Sequence, residues 1–327
     1  MSQPDRRSLH VDMLLSNFSV AFMNQESYFI ATQVFPEIPV QKQSDVYAVY
    51  DQNAFFRAKA RKREKGTESA GDGWEVDVSN SYNAARYDLH YDIHDDDRAN
   101  ADPIFNLEED AAQWVTHGLM VTREKIWMDT FFKTGVWTGA DYDGVANSAP
   151  GANQFERWDR PGSNPVKDVR NVADLIHQQS GYRPNTLVLS PQVLTILEEH
   201  PDIRDRFKYT TAASITVDML AAAFRVNRVL IANATYDSSD AGATISMNFM
   251  AGKHALLVYS APRPSPKQPS GGYTFGWRLP ETGGTTSLSM SVFRQQQLNS
   301  DRVEGSMAFA MKVIAPSVGG FFENAIS

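Results

Sequence analysis

His90, Asp92 and His94 alternate along one stretch, and Asp95, Asp96 and Asp97 follow at once. Alternate residues of a strand share a face, so two imidazoles and a carboxylate there could converge on a divalent cation. Two other readings suit the same residues. One is a solvated strand face that runs into an acidic turn. The other is an acidic surface matched to a basic one. The basic partner is Arg57-Ala58-Lys59-Ala60-Arg61-Lys62-Arg63-Glu64-Lys65, six basic residues against one acid, followed by Gly66, Gly71 and Gly73. Five acids between Asp88 and Asp97 complement it. The two runs sit far apart within one hairpin, so pairing between copies of the chain is the reading that uses both. A basic loop can also touch nucleic acid. Phe55 and Phe56 precede this run, but no aromatic interleaves it for base stacking.

Other chemistry is mostly excluded. The 327-residue chain has no cysteine, which removes disulfides, thiolate nucleophiles and thiolate metal sites. Gly252-Lys253 lacks the upstream glycine and following hydroxyl of a phosphate-binding loop, and Gly71-x-Gly73 lacks the third glycine of a dinucleotide fingerprint. No nucleophile elbow or His-Glu-x-x-His helix is found. No catalytic residue, cofactor or resident metal is therefore expected. The net charge of −8 argues against a protein whose main affinity is for the nucleic-acid backbone. The apolar run Met219–Phe224 is far short of a membrane span.

The elements around these residues are unequal. Residues 1–45 read as an arm, with Leu14, Phe18 and Phe22 on one helical stripe, then Phe35-Pro36-Glu37-Ile38-Pro39-Val40 extended between prolines. Residues 46–94 read as a long hairpin with the basic run at its tip. Its strands are Val46–Tyr50, the alternation Trp74-Val76-Val78, and Tyr87-Leu89-Tyr91-Ile93, with a bulge expected near 80–83 where the parity shifts. Residues 106–134 predict a very long helix. Asn106 caps it with Glu109 three residues on, Glu108, Glu109 and Asp110 suit its N-terminal dipole, and Gly135 stops it. Its packing face is assigned to Trp114, Val115, Leu119 and Ile126. Residues 139–165 read as a Gly- and Pro-rich loop. Residues 166–259 read as a separate α/β domain, with helices at 166–179, 191–199 and 216–224 and strands at 186–189, 228–232 and 255–259. A proline-rich loop (260–272), a strand from Thr286 to Phe293 and a last strand from Met307 to Ile314 complete the chain. Such projecting elements expose surface that only neighbours can cover.

Several segments resemble the major capsid (head) proteins of tailed double-stranded DNA bacteriophages, the Hong Kong ninety-seven-like fold. They are Phe35–Val40, Asp97-Arg98-Ala99-Asn100-Ala101-Asp102, Arg123-Glu124, Trp158-Asp159 with Asn164-Pro165, Pro184–Leu189, and His200–Tyr209. The resemblance implies an α+β fold with an N-terminal arm (1–45), an E-loop β-hairpin (46–94), a P-domain (95–165) containing a spine helix (106–134), an A-domain (166–260) and returning strands (261–327). It implies a structural, non-enzymatic subunit that self-assembles into pentamers and hexamers of an icosahedral head. The head encloses double-stranded DNA without sequence-specific binding. The location would be the virion, after assembly in the host cytoplasm, with no membrane. Expected partners are other copies, a scaffolding protein, a portal and a candidate decoration protein. The arm before Phe35 is too short to carry a built-in scaffold, so the scaffold is expected to be separate. Inter-subunit contacts are expected at Arg57, Lys59, Arg61, Lys62, Arg63 and Lys65, facing Asp95, Asp96, Asp97, Glu108 and Glu109. Some members join a loop lysine to a neighbour's asparagine. Lys59, Lys62 and Lys65 lie in that region without a supporting motif. Two alternatives stand: an encapsulin-like nanocompartment shell, and a soluble hydrolase using carboxylates in the 88–102 region.

Overall fold

In the computed structural model, residues 27–50, 55–100, 106–147, 149–207, 215–240, 242–244, 246–264 and 268–327 are described. The stripe of Leu14, Phe18 and Phe22 lies outside them. Two β-sheets and the long helix carry the architecture.

The first sheet is built on Ser300–Val313, fourteen residues long. Only its second half is legible as a strand in the sequence, because Asp301, Arg302 and Glu304 interrupt the apolar pattern. Ala85–His94 pairs antiparallel with it from Ala85↔Phe309 to His94↔Ser300. Leu288–Gln295 and Gly272–Trp277 pair with it as well, and Glu37–Val40 runs parallel at the edge of Gly272–Trp277. The edge position fits Pro39, which has no amide to donate.

The expected hairpin is therefore shorter than 46–94. Its stem consists of two small ladders, Ser44–Val46 with Ser81–Asn83 and Val49–Tyr50 with Val76–Asp77. Past Ala84 the chain joins the large sheet. Ala84 stands between two strands, fully buried, its N–H given to Gln43 O. The break between the two strands thus falls just past the 80–83 stretch where the parity shifts.

The long helix runs Leu107–Phe131, ending three residues before the expected limit. The Asn106 side chain accepts from Glu109 N and donates to Glu109 Oε2. Phe132 N–H still reaches Met128 O, but Phe132 has left helical geometry, and Gly135 then takes φ +78°. Buried residues recur in pairs every four positions: Ala111/Ala112, Val115/Thr116, Leu119/Met120, Arg123/Glu124 and Trp127/Met128. The helix lies so close to the first sheet that a Cβ on Gly305 would sit 2.5 Å from Val115 Cγ1 and 3.0 Å from Leu119 Cδ1.

The second sheet has the order Arg228–Ile231, Thr186–Leu189, Ala255–Val258, Gly319–Glu323, Ala140–Val145, Gln154–Glu156. Helices Pro165–Ser180, Pro191–Glu199, Pro201–Phe207 and Val217–Phe224 pack with it. Each expected α/β element is present within a residue or two, with Ser190 and Thr216 as N-caps. Two expectations fail. The 139–165 loop carries two strands of this sheet, and the tail after Pro316 supplies another, Gly319–Glu323. Gly319 and Gly320 give no strand signal in the sequence, because glycine weakens strand propensity. Here Gly319 is needed: a Cβ would lie 2.0 Å from Trp137 Cε3.

Candidate functional site

The basic run projects from the stem as a loop. Arg57, Arg61, Lys62, Arg63 and Lys65 are exposed. Lys59 is half-buried; its Nζ lies 2.7 Å from Asp72 Oδ2 and donates to Gly73 O, tying the two sides of the loop. Arg63 Nε donates to Thr67 O. Among the described residues no carboxylate pairs with Arg57, Arg61, Lys62, Arg63 or Lys65. The same projection carries Val46, Phe55, Phe56, Trp74, Val76 and Val78, all exposed. The loop thus presents cations and largely exposed apolar side chains, with Phe55 beside Trp74 at 6.1 Å and Phe56 close to Gly181.

The acidic group divides. Asp95 Oδ1 accepts from Arg294 Nη1 at 2.6 Å, and this bond holds the carboxyl below its usual range. Glu108 Oε1 accepts from Arg98 Nη2 at 2.8 Å, and Arg98 Nη1 also meets Asp301 at 2.7 Å. Asp95 and Glu108, expected to face a neighbour, are therefore engaged inside their own chain. The reason is topological: strand Ser300–Val313 and its hairpin partner bring Arg294 and Asp301 beside them from two hundred residues away. Asp96 and Asp97 are exposed on the short helix Asp95–Asn100 and have no ion pair among the described residues. Glu109 is half-buried against Asn106.

The His90, Asp92, His94 group does not converge. Arg302 on the neighbouring strand holds Asp92 at both oxygens, Nε–Oδ1 2.7 Å and Nη2–Oδ2 2.8 Å, and these bonds lower its pKa. Among the described residues no cluster of three or more His, Asp or Glu could hold a metal. Of the carboxylates offered for a hydrolase, Asp88, Asp92 and Asp95 are bound to arginines, while Asp96 and Asp97 are exposed. Arg86 Nε sits 2.8 Å from Asp88. A cleft of about 480 Å³ lies between the hairpin base and the second sheet's helices, lined by Val49, Phe56, Tyr182, Pro269 and Pro316, and no Asp or Glu lines it.

On the long helix, Val115 and Leu119 are buried and Ile126 is half-buried against the main core. Trp114 is not buried: 54% of it is exposed, its ring edge-on to Tyr91 at 5.9 Å. It precedes Val115 by one residue, a rotation of ~100° about the helix axis, which takes it off the packed face.

Sequence reasoning gave no role to Glu124. It is fully buried, and its two oxygens accept from Ile30 N at 3.1 Å and Ala31 N at 3.0 Å. It thereby caps the short helix Ala31–Val34 and pins the root of the N-terminal arm to the long helix. Burial pushes its pKa up to about 7 against the pull of those bonds. A signal was present: Glu124 stands four residues after Met120 and three before Trp127, on an apolar stripe where only a partnered acid is tolerated. Arg228 makes a second anchor, its Nη2 donating to Gln33 O at 2.7 Å.

A long helix laid across one sheet, a second sheet with its own helices, a projecting charged hairpin and a pinned arm root make up a fold of the Hong Kong ninety-seven type. Solved phage capsids share this fold. The model of the family described as "Phage major capsid protein E" matches residues 136–259. The chain is 26% identical over 271 residues to the major capsid protein of Burkholderia phage BcepMu, covering 81% of this chain and 82% of that one. It is 25% identical over 320 residues to the major capsid protein of Pseudomonas phage JBD67, covering 97% of each. A phage-related protein from Bordetella bronchiseptica RB50 superposes with a TM-score of 0.73 at 23% identity, covering 97% of this chain and 98% of that one. Over nearly its whole length the chain is therefore similar to phage major capsid proteins.

Proposed function

We propose that the chain is the repeating subunit of a tailed-phage head, arranged as pentamers and hexamers in an icosahedral shell around double-stranded DNA. Its role is structural rather than catalytic. The supporting observation is the projecting hairpin, whose exposed cations and exposed Val46, Val76 and Val78 form a surface that another copy would cover. The N-terminal arm, E-loop, P-domain and A-domain of the sequence reading describe its parts, with the P-domain on the first sheet and the A-domain on the second. The 140–156 strands belong with the A-domain. A separate scaffolding protein, a portal and a decoration protein are its proposed partners, and the virion its location after assembly in the host cytoplasm.

The proposed contact places Arg57, Arg61, Lys62, Arg63 and Lys65 over a neighbour's Asp96, Asp97 and Glu109. Lys59, Asp95 and Glu108 contribute less because they are already paired. The encapsulin-like alternative has the same fold, but the sequence relatives spanning this chain are phage capsid proteins. Electron microscopy of the expressed protein, alone and with a scaffold, tests the reading. Closed shells of pentamers and hexamers are expected. A stable monomer in both preparations would sink it. The triple reversal Arg61→Glu, Lys62→Glu, Arg63→Glu tests the contact: the subunit should fold normally and assemble poorly.

A further inference from the structure

The strand Ala85–His94 forms one border of the first sheet. It pairs with Ser300–Val313 on its inner side, and among the described residues no strand pairs with its outer side. Two backbone bonds show which groups face outward. Just past the ladder, in the same register, Asp95 N–H donates to Asn299 O, so the odd-numbered residues of this strand bond inward. On the far side of the central strand Ala308 N–H donates to Ser287 O, which leaves that strand's odd-numbered residues for Ala85–His94, in agreement. The N–H and C=O groups of Arg86, Asp88, His90, Asp92 and His94 therefore point off the sheet. A ten-residue border with unpaired backbone groups is a template for another strand.

The side chains specify which strand. The same five residues alternate basic and acidic on the face where Arg86 reaches Ser306 and Asp92 meets Arg302. The other face, under the long helix, holds Tyr87, Leu89 and Tyr91. A Cβ on Gly118 would lie 2.5 Å from Leu89 Cδ2, and Tyr91, 47% exposed, meets the exposed Trp114. We propose that two copies of this chain join here edge to edge, strand antiparallel to strand, about a two-fold axis at Leu89. This register sets Arg86 against the partner's Asp92 and Asp88 against the partner's His90, each pair occurring twice, so every charge pair across the seam is opposite in sign. An axis at Asp88 or His90 would oppose like charges. Axes at Tyr87 or Tyr91 match signs over shorter ladders, whereas Leu89 keeps residues 85–93 paired. Asp88 already holds Arg86 and Arg302 already holds Asp92, so the seam extends existing ion pairs rather than burying lone charges. An imidazole N–H donates to a carboxylate in either protonation state. On the helix side the partner's Tyr87 falls against Tyr91 and covers the aromatic pair. In the same register the partner's Asp95 and Asp97 come level with Asn83 and Ser81 of the hairpin stem, continuous with the contact proposed for the basic loop. The inference rests on the shell reading only for the supply of two-fold positions between neighbours.

The chain has no cysteine, so introduced ones report alone. Across the seam Leu89 opposes itself at a Cα separation of ~4.5 Å, within disulfide range. Full-length Leu89→Cys chains, oxidised mildly under assembly conditions, should run as covalent dimers. A second design spares the Leu89 packing. Tyr87→Cys chains mixed with Tyr91→Cys chains should link, while each alone should not, because like positions lie ~13 Å apart along the strands. Circular dichroism shows that each variant is folded. His90→Asp opposes Asp88 in both copies and should slow Leu89→Cys linkage on the order of tenfold, and adding Asp88→Lys should restore it. No linkage from either design in folded chains, equal linkage from Tyr87→Cys or Tyr91→Cys alone, or no rescue by Asp88→Lys would each overturn the proposal. Shells that form without the link would sink the edge pairing alone. Linked dimers that never close into shells would sink the shell reading and leave the pairing standing.

Discussion

Glu124 shows how one side chain can couple a terminus to a scaffold. Its carboxyl is removed from water, and two backbone N–H groups of the arm are its hydrogen-bond partners. Its pKa rises from an ordinary 4.5 to about 7, with burial the largest cause. The native subunit therefore holds a proton that the unfolded chain releases between these values. The sign follows: stability is greatest at and below pH 4.5 as far as this group is concerned, falls as pH rises through the window, and levels off above about 7. The full difference is about 3 kcal/mol. Denaturant unfolding of the unassembled subunit across pH 4.5–7.5 should show this decline, and Glu124→Gln should flatten it. Equal slopes in the two proteins would show that Glu124 titrates normally. Glu124→Gln should also lose stability at low pH, because an amide can accept from only one of the two N–H groups.

The long helix is the element on which the first sheet depends, and its seam is sensitive to both charge and volume. Leu119 is 2% exposed between the helix and the sheet. Leu119→Asp would put an unpaired charge there and should cost several kcal/mol. Soluble subunit with unchanged thermal unfolding would mean the helix packs by another face. The opposite partner is Gly305, in the middle of Ser300–Val313, where any Cβ meets Val115, Met290 and Leu119 at 3.0 Å or less. These are tightly buried groups that have little room to move. Gly305→Val should lower stability by ~1–3 kcal/mol through overpacking. Val115→Ala in the same chain should restore part of the loss, and additive losses would show that the two positions do not touch. Trp114, outside this seam, should leave subunit core packing unchanged when replaced by Phe.

For the whole molecule, electrostatics and exposed apolar surface act together. The basic loop carries a local charge of +5 on a chain whose net charge is −8. Each exposed pair with a neighbour is worth only ~0–1 kcal/mol. Under the proposed contact, repetition around a closed shell would add these pairs up and set the register of subunits. Salt screens them with a Debye length of ~8 Å at physiological strength. Assembly yield of the wild type should therefore fall as salt is raised, and the triple charge reversal should be nearly insensitive to salt. Parallel salt curves would assign the loop a role other than bridging. The summed contact area per subunit should exceed the ~1,600 Å² of a standard interface, because the hairpin projects with exposed apolar and basic side chains.

Local signals were sufficient for much of this chain. Asn106, Ser190 and Thr216 started their helices because a side-chain oxygen replaces a missing N–H partner, a matter of three residues. Strand 186–189 was legible from its run Thr186-Leu187-Val188-Leu189, and the break between the strands at 81–83 and 85–94 is foreshadowed by a change of parity. The loop charge, too, is a property of nine consecutive residues. Long-range pairing decided the rest. The Gly319–Glu323 and Ala140–Val145 strands are ordered by each other although Ala140 and its partner Gly320 are 320 − 140 = 180 residues apart, and Gly319 and Gly320 are tolerated because Trp137, Val172 and Ile176 fill the space where Cβ atoms would be. Arg302 claimed Asp92, Arg294 claimed Asp95, and the arm's amides claimed Glu124, each from a distance of about a hundred residues or more. A charged side chain's partner depends on which strands lie side by side, and no spacing within the sequence records that.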